Sequence, residues 1–588
     1  MNKKFKIWRD KNGIPHVEAA NLFDLYQGFG YAHATDRGMQ MLLMRILGQG
    51  RVSELLDASE ESLNIDIFFR KMNWAANIEE ELAKLNQQEI RCLDSYCDGI
   101  NSVLNEKIPW EFKLLGYKYE QWKKEDCIAL SRMIGYLTLA QSQAEMERLF
   151  VEMVQAGLSK EKLDEIFPNI LGGLDIELIK KVKLPERIIP PNLLWGIGAP
   201  RMMASNNWVI SGTKTDSGEV IVANDPHLEA NRLPNVWCEI ALKIKDRFMM
   251  GGTMPGLPGV LAGRTNDIAW GATYSFADAV DSWIEKCKDG KYYREGKAQW
   301  IDFNKRTEII KRKKKDPVEV TFYENDHGVL DGNPFEEGYY LATDWAANKS
   351  GAKSFSAIFK IREIKSTAEA MDTLGELETS WYFVIGDKKG NIGFQTTGKL
   401  PKRKKGVSGF VPLPGWKSDN NWSEFLSVKE LPRILNPKQG FFVTANQALN
   451  EFGKTNPINM PMGRYRADRI TNLLANGDNF TIDDMYKMHY DVYSLQAEYF
   501  MKILKPLLPD TPQGKILREW DLKYTADSKG AFLFENFYTA LYREVFGKAD
   551  FGEQVIEFLQ KECGTFIDFY ENFDRILLSK RSSWFGGR

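Results

Sequence analysis

Met203-Ala-Ser-Asn-Asn-Trp-Val-Ile-Ser211 is the stretch whose reading decides the rest of the chain. A small residue, Ala204, precedes a hydroxyl residue, Ser205. Two amides, Asn206 and Asn207, lead into the apolar run Trp208-Val-Ile210. That run reads as a strand with the serine at its start. An internal serine is a poor nucleophile, because its hydroxyl stays protonated at neutral pH and needs a base. A cut between Ala204 and Ser205 supplies one. A free α-amine titrates near about 7.7–8.0, against about 10.4 for a lysine, close to the pH at which a general base works best. The same local pattern, Ser-Asn before a strand, also fits an ordinary turn, so the surroundings must decide.

Upstream, residues 171–204 are broken by Gly172-Gly173, Pro185, Pro190-Pro191, Gly196 and Pro200. They read as a linker, or as a spacer removed on processing. Before them, residues 1–170 read as a mostly helical first segment. A hairpin over 4–19 turns at Asp10-Lys-Asn-Gly13 and precedes helical patterns that run to about residue 156. The clearest stripe is Ile90, Leu93, Cys97, Ile100 and Leu104. Downstream, residues 205–588 turn strand-rich: 208–211 and 219–223 flank the turn Thr215-Asp-Ser-Gly218, and 240–250 and 259–273 continue the pattern. The basic runs Lys311-Arg-Lys-Lys-Lys315 and Lys402-Arg-Lys-Lys405 read as solvated loops. Thr481-Ile-Asp-Asp484 caps a helix running towards Pro506.

At 588 residues the chain exceeds one ordinary core. A net charge of −2 gives no field for nucleic acid. No run of about 18 apolar residues predicts a membrane span, and the basic start Met1-Asn-Lys-Lys4 lacks the apolar stretch of a signal peptide. The sequence as it stands predicts a cytoplasmic protein, or a periplasmic or secreted one whose signal has been removed. Six cysteines form no CxxC pair and read as small buried residues. Five histidines form no HExxH motif, so a zinc hydrolase is a weak reading.

Ala204-Ser-Asn-Asn-Trp-Val209 resembles the processing site of the penicillin acylase (penicillin amidase) family of N-terminal nucleophile hydrolases. Further matching blocks follow in family order: Gly30-Tyr-Ala-His-Ala-Thr-Asp-Arg37, Asn224-Asp-Pro-His227, Gly263-Arg-Thr-Asn-Asp-Ile-Ala-Trp-Gly271, Asp278-Ala-Val-Asp281, Thr444-Ala-Asn446 and Gly463-Arg-Tyr-Arg-Ala-Asp-Arg-Ile470. Each block alone is weak; their order and spacing across nearly the whole chain are specific.

The resemblance implies an α+β fold, a four-layer αββα sandwich of two antiparallel sheets with a helical N-terminal lobe. It implies Ser205 as nucleophile with its own amine as base, and His227 as a residue holding the serine hydroxyl or amine. The oxyanion donors would be the Asn446 side-chain amide and the Tyr274 backbone N–H. Arg469 matches an arginine that orients the amine and Asn446; Asn207 and Asn224 would hold nearby backbone. One structural calcium is also implied, held by Asp278, Asp281, the Val280 carbonyl and, from the first segment, Glu145. Thr455-Asn-Pro457 stands near the place of a further family aspartate, a departure that bears on the ion. The family's second segment normally continues past the equivalent of Trp584-Phe-Gly-Gly-Arg588, so a short C-terminus is a second departure.

The function implied is a self-processing amide hydrolase. It would cleave a small-molecule N-acyl substrate of the penicillin, cephalosporin or acyl-homoserine-lactone type, as a heterodimer of its own two processed chains, with neither nucleic acid nor membrane as partner. The competing class is a truncated or unprocessed, non-catalytic relative acting as a binding or structural module.

Overall fold

The computed structural model describes residues 4–185, 204–228, 235–297, 299–552 and 564–586. Most of the expected spacer, with Met203, lies outside the described residues, as does Cys563.

Ser205–Ile210 is the central strand of a three-stranded antiparallel sheet, between Ile221–Pro226 and Phe441–Thr444. It is apolar on both faces because both faces are covered. Trp208 and Ile210 pack with Ala467, Ile470 and Leu474 of the helix Tyr465–Ala475. Val209 faces the other way, into the core shared with a larger sheet. Register then fixes the neighbours of the serine. Ser205 pairs with Pro226, and Thr444 pairs with Asn207, so His227 and Asn446 both emerge beside the start of the strand.

The larger sheet, nine-stranded among the described residues, runs from the hairpin Phe5–Arg9 and Pro15–Ala19 through Cys238–Ile244, Arg247–Thr253, Val260–Thr265, Ile268–Tyr274, Trp381–Asp387 and Ile392–Thr396 to Arg433–Leu435. Its strands Ile268–Tyr274 and Trp381–Asp387 lie against the small sheet. Two glycines permit the close approach. A Cβ on Gly386 would stand 2.4 Å from Val220 Cγ1, and one on Gly271 would stand 3.1 Å from Asn224 Cβ. The helix Thr367–Leu374 covers the outer face of the larger sheet. Helix, sheet, sheet and helix make the four layers that the resemblance implies.

Three details differ from expectation. Pro15–Ala19 pairs in parallel with Cys238–Ile244, so the larger sheet is not purely antiparallel. The first segment adds its hairpin to the edge of a sheet built by the second, which interlocks the two. Residues 280–345 supply seven strands of a further sheet, and Leu413–Pro414 adds an eighth among the described residues; no sequence motif announces it. The basic run Lys311–Lys315 forms a hairpin tip within it. Finally, the helix capped by Thr481 ends at His489 rather than running to Pro506. Asp491 turns the chain by accepting the Tyr493 N–H at 3.0 Å, and Ser494 caps a second helix, Leu495–Leu504.

In the first segment the stripe Leu93, Cys97, Ile100 and Leu104 is buried on the helix Gln87–Leu104, which packs along Leu22–Gly48. The helices Lys124–Gly135 and Gln141–Gln155 join through a π-helical stretch, Tyr136–Ala140, whose wider turn resets which residues face inward. No described helix is long and apolar enough to cross a membrane.

Candidate active site

Ser205 is buried, 5% exposed, at the start of its strand. Its backbone N–H donates to Asn446 Oδ1 at 2.8 Å. Asn446 holds a left-handed backbone, φ +69°, a conformation that asparagine adopts more readily than most residues. Its Nδ2 donates to the Tyr274 carbonyl at 2.9 Å. Of the two residues expected from sequence, Asn446 therefore contacts Ser205 directly, and Tyr274, from another layer of the sandwich, is joined to it through Asn446 by its carbonyl.

Arg466 completes the contact set, and it was not expected. It stands in the first turn of the helix Tyr465–Ala475. Its guanidinium donates to the Ser205 carbonyl at 2.9 Å, to Asn206 Oδ1 at 2.5 Å, to the Ala445 carbonyl at 2.8 Å and to Asn446 Oδ1 at 3.1 Å. All four acceptors are neutral. Burial without a carboxylate in contact lowers its pKa from the ordinary arginine value. Arg469, the residue expected here, is placed elsewhere. One turn along, about 4.5 Å further up the axis, its Nε donates to Asp491 Oδ2 at 2.6 Å and its guanidinium lies over Tyr493. Arg464-Tyr-Arg466-Ala-Asp-Arg469 offers three arginines, and only the position of the helix N-terminus beside Ala445 and Asn446 selects among them.

On the other side of Ser205, the His227 backbone N–H donates to the Ala204 carbonyl at 2.9 Å, the carbonyl of the Ala204–Ser205 bond itself. The His227 ring lies in a small polar cluster. Nε2 is 2.9 Å from Asp225 Oδ2 and 3.3 Å from Asn206 Nδ2. A carboxylate only accepts, so Nε2 carries a hydrogen towards Asp225. His489 Nδ1 approaches the same Asp225 oxygen at 3.5 Å, its ring 4.8 Å from that of Trp208. Burial pushes the Asp225 carboxyl up, but its hydrogen bond to His227 and its attraction to the two imidazoles outweigh burial and hold it well below the ordinary range. Asp225 stands inside the block Asn224-Asp-Pro-His227 and was legible there; His489 carried no signal beyond the rarity of histidine.

Asn224 and Asn207 tie the layers. Asn224 Oδ1 accepts the Ala272 N–H at 2.9 Å, and its Nδ2 donates to the Ala272 and Asn206 carbonyls at 3.2 and 3.3 Å. The Thr444 hydroxyl donates to Asn207 Oδ1 and lies 2.9 Å from the Thr273 hydroxyl. These bonds fix the serine strand against the strand that ends at Tyr274.

A family profile described as Penicillin amidase matches residues 4–588. The chain belongs to the penicillin amidase family. Among its relatives is the protein named acyl-homoserine lactone acylase QuiP from Pseudomonas aeruginosa, 27% identical, with 93% of this chain aligned to 69% of that one. Another is penicillin acylase 2 proenzyme from Pseudomonas sp. SE83, 29% identical over 93% of this chain and 72% of that one. Among solved structures, a thermostable penicillin G acylase from Alcaligenes faecalis superposes with a TM-score of 0.54 over 61% of this chain and 67% of its own, at 21% identity, which shows the shared fold. As a penicillin amidase, the protein is an N-acyl amide hydrolase by family.

The calcium ligand set implied for this penicillin amidase is not the one the structure assembles. Glu147, Asp278 and Asp281 bring carboxylate oxygens within 4.8 Å of one another, all three buried. Glu145, two residues earlier and so about 200° round the helix, faces away and accepts from Gln141 Nε2 at 3.0 Å. Val280 donates its N–H to Asp278 Oδ1 at 3.1 Å. Arg403, read from sequence as part of a solvated loop, is buried against the two aspartates. Burial pushes Asp278 up to about 7, with Asp281 adding repulsion and Arg403 opposing. Burial, then repulsion from Asp278 and Asp281, raises the Glu147 carboxyl as well. A calcium ion needs six to eight oxygen ligands. Here the fixed positive charge of Arg403 already lies against both aspartates, and Trp422 and Asn459 donate to their Oδ2 atoms, so the residues present do not fit the ion.

Proposed function

We propose that this penicillin amidase matures by cutting its own chain before Ser205 and then hydrolyses N-acyl amides through a Ser205 ester. The observation that carries the reading is the set of contacts on Ser205: its nitrogen on Asn446 Oδ1, its carbonyl on Arg466, and the preceding carbonyl on the His227 N–H.

In the first stage, Ser205 Oγ adds to the Ala204 carbonyl. The His227 N–H already points at that oxygen and would steady its negative charge. Collapse breaks the C–N bond, the proton lost by Oγ passes to the departing Ser205 nitrogen, and the Ala204 acyl group is left on Oγ. Water hydrolyses the ester, releasing the Ala204 carboxylate and the free Ser205 amine. In the second stage that amine keeps its N–H on Asn446 Oδ1, which turns its lone pair to Oγ. The positive charge of Arg466 disfavours a protonated amine, so the base is kept neutral for its task. Oγ attacks the substrate carbonyl. The Asn446 Nδ2, with one hydrogen on Tyr274 and a second to give, and the Tyr274 N–H stabilise the oxyanion. The amine passes the serine proton to the leaving nitrogen, and water then frees the carboxylic acid.

The side chains of Tyr274 and Trp381 pair across neighbouring strands, with rings 4.9 Å apart. Behind Trp381 lies an apolar cavity lined by Ile134, Val260, Leu261, Ile358 and Phe383. This supports an extended apolar acyl group as the one recognised, and acyl-homoserine lactones as substrates to try before penicillin G.

The test is intact mass after expression, followed by hydrolysis of N-acyl-homoserine lactones from butanoyl to dodecanoyl and of penicillin G. Two fragments parted before Ser205 are expected, with Ser205→Ala uncut, and rates should rise with chain length. A wild-type chain that stays whole, or amide hydrolysis that survives Ser205→Ala, would sink the proposal.

A further inference from the structure

The acidic cluster departs from the family pattern in a way that has its own logic. We propose that Arg403 is a resident internal cation, standing where a divalent ion would be expected and tying the residues before the Ala204–Ser205 bond to those after it.

The guanidinium is held as a fork. Nη2 donates to Asp281 Oδ1 at 2.9 Å and to the Asp278 carbonyl at 3.2 Å, and it lies 3.2 Å from Asp278 Oδ1. Nε donates to both Asp281 oxygens, at 3.0 and 3.1 Å. Neutral donors take what remains. Trp422 Nε1 donates to Asp281 Oδ2 at 2.5 Å, and the Asn459 amide nitrogen donates to Asp278 Oδ2. The same Asn459 nitrogen donates to the Ser408 carbonyl at 3.1 Å, so both partners are acceptors and the amide cannot face the other way. A divalent ion would have to sit beside the fixed guanidinium charge, and the cluster holds the guanidinium instead.

The pocket is shaped for the arginine. Gly409 takes φ +94°, and a Cβ there would lie 2.4 Å from Arg403 Cζ, so the guanidinium fills space that only glycine leaves open. The neighbouring lysines turn outward, Lys402 to Glu424 and Glu430 and Lys404 to Asn420. The basic run thus buries one cation and exposes the others. Arginine suits the position because its planar fork meets carboxylate oxygens with fixed geometry.

The third carboxyl, Glu147, belongs to the helix Gln141–Gln155 of the first segment, with no hydrogen bond to protein at either oxygen. One turn earlier, Gln143 grips the same loop: Nε2 donates to the Ala277 carbonyl at 3.0 Å and Oε1 accepts the Ala279 N–H at 3.2 Å. Arg403, Asp278 and Asp281 therefore lie where that helix docks on the second segment, whether or not the chain is cut.

The experiment uses the full chain, dialysed against EGTA and then against calcium, with calcium measured by elemental analysis and unfolding followed by heat. Wild type should carry no stoichiometric calcium, and its melting temperature should be the same in EGTA and in calcium. One calcium per chain together with a higher melting temperature would overturn the proposal without any variant. In EGTA, Arg403→Gln should melt well below wild type and Arg403→Lys between the two. Arg403→Ala, which empties the space between three carboxyls, should gain a calcium-dependent rise that wild type lacks. An Arg403→Gln protein that melts with wild type would also overturn it.

Discussion

Arg466 and Arg403 are both buried guanidiniums after Ser205, and they live in opposite surroundings. Arg466 touches four neutral oxygens, and among the described residues no ion pair includes it; burial lowers its pKa. Arg403 touches two aspartates. Burial works against its charge, but Asp278 and Asp281 outweigh burial and raise its pKa. An uncompensated charge in a low-dielectric site projects a field onto whatever reacts beside it. A compensated charge projects little and instead resists separation of its partners. One residue type therefore does two jobs, and the difference is whether carboxylates surround it.

Removing what Arg466 serves gives the largest effect. Ser205→Ala should leave the chain whole and lower amide hydrolysis by a factor on the order of 10⁶, read by intact mass and by initial rates, with melting little changed. Arg403→Gln should do the reverse. It leaves two buried aspartates without their cation, costing about 3–5 kcal/mol in denaturant unfolding, while protein that remains folded keeps its kcat. Arg466→Gln should cut kcat by about 10²–10³-fold, the scale of a lost oxyanion-site group. It should also move the acid limb of the kcat/KM profile to higher pH, because removing a positive neighbour raises the amine pKa. A kcat loss without that movement would make Arg466 a purely structural contact.

Two carboxyls without a guanidinium in contact sharpen the comparison. Asp574 is buried with only neutral donors: the Tyr538 hydroxyl at 2.6 Å, the Tyr465 hydroxyl at 3.1 Å and Gln496 Nε2 at 2.7 Å. Burial pushes it up to about 7 despite them. A carboxyl whose folded pKa is raised binds more protons folded than unfolded. Its contribution to stability is full below about pH 4 and is lost as pH rises towards 7. Asp574→Asn should flatten that decline in a pH series of unfolding curves. Asp225 has the opposite sign. Its folded pKa is depressed, so its contribution is present above about pH 4 and is lost as pH falls through the folded value. Being partly exposed, it should give the smallest effect. Asp225→Asn should melt slightly below wild type at pH 6, the two curves should converge in acid, and kcat should fall by about tenfold as the His227 ring loses its partner.

Much of this was legible because chemistry at Ser205 depends on neighbours in sequence. The order of small residue, hydroxyl, amides and apolar run marks the strand start, and on it rests the proposed latent amine. The block around His227 lies close enough in sequence to be read with it. The choice among Arg464, Arg466 and Arg469 was not legible, because a helix start shifted by one turn would present a different arginine to Asn446. Nor was the choice of Glu147 over Glu145, since two residues on a helix reverse the face and the π-helical stretch at Tyr136–Ala140 resets the phase before them. The burial of Arg403 was hidden by its own context, because three lysines around it give a local pattern that reads as solvent.

The sequence by itself determined the family, through the order and spacing of its blocks, and through that resemblance the layered sandwich; it also singled out Ser205 as the nucleophile proposed here, because residue order is a property of the chain alone. Only the tertiary structure decided which arginine faces the serine and which is buried against Asp278 and Asp281. Those choices depend on distances between elements 20 to 260 residues apart, and a side chain a few ångströms from its partner is neither bonded nor compensated.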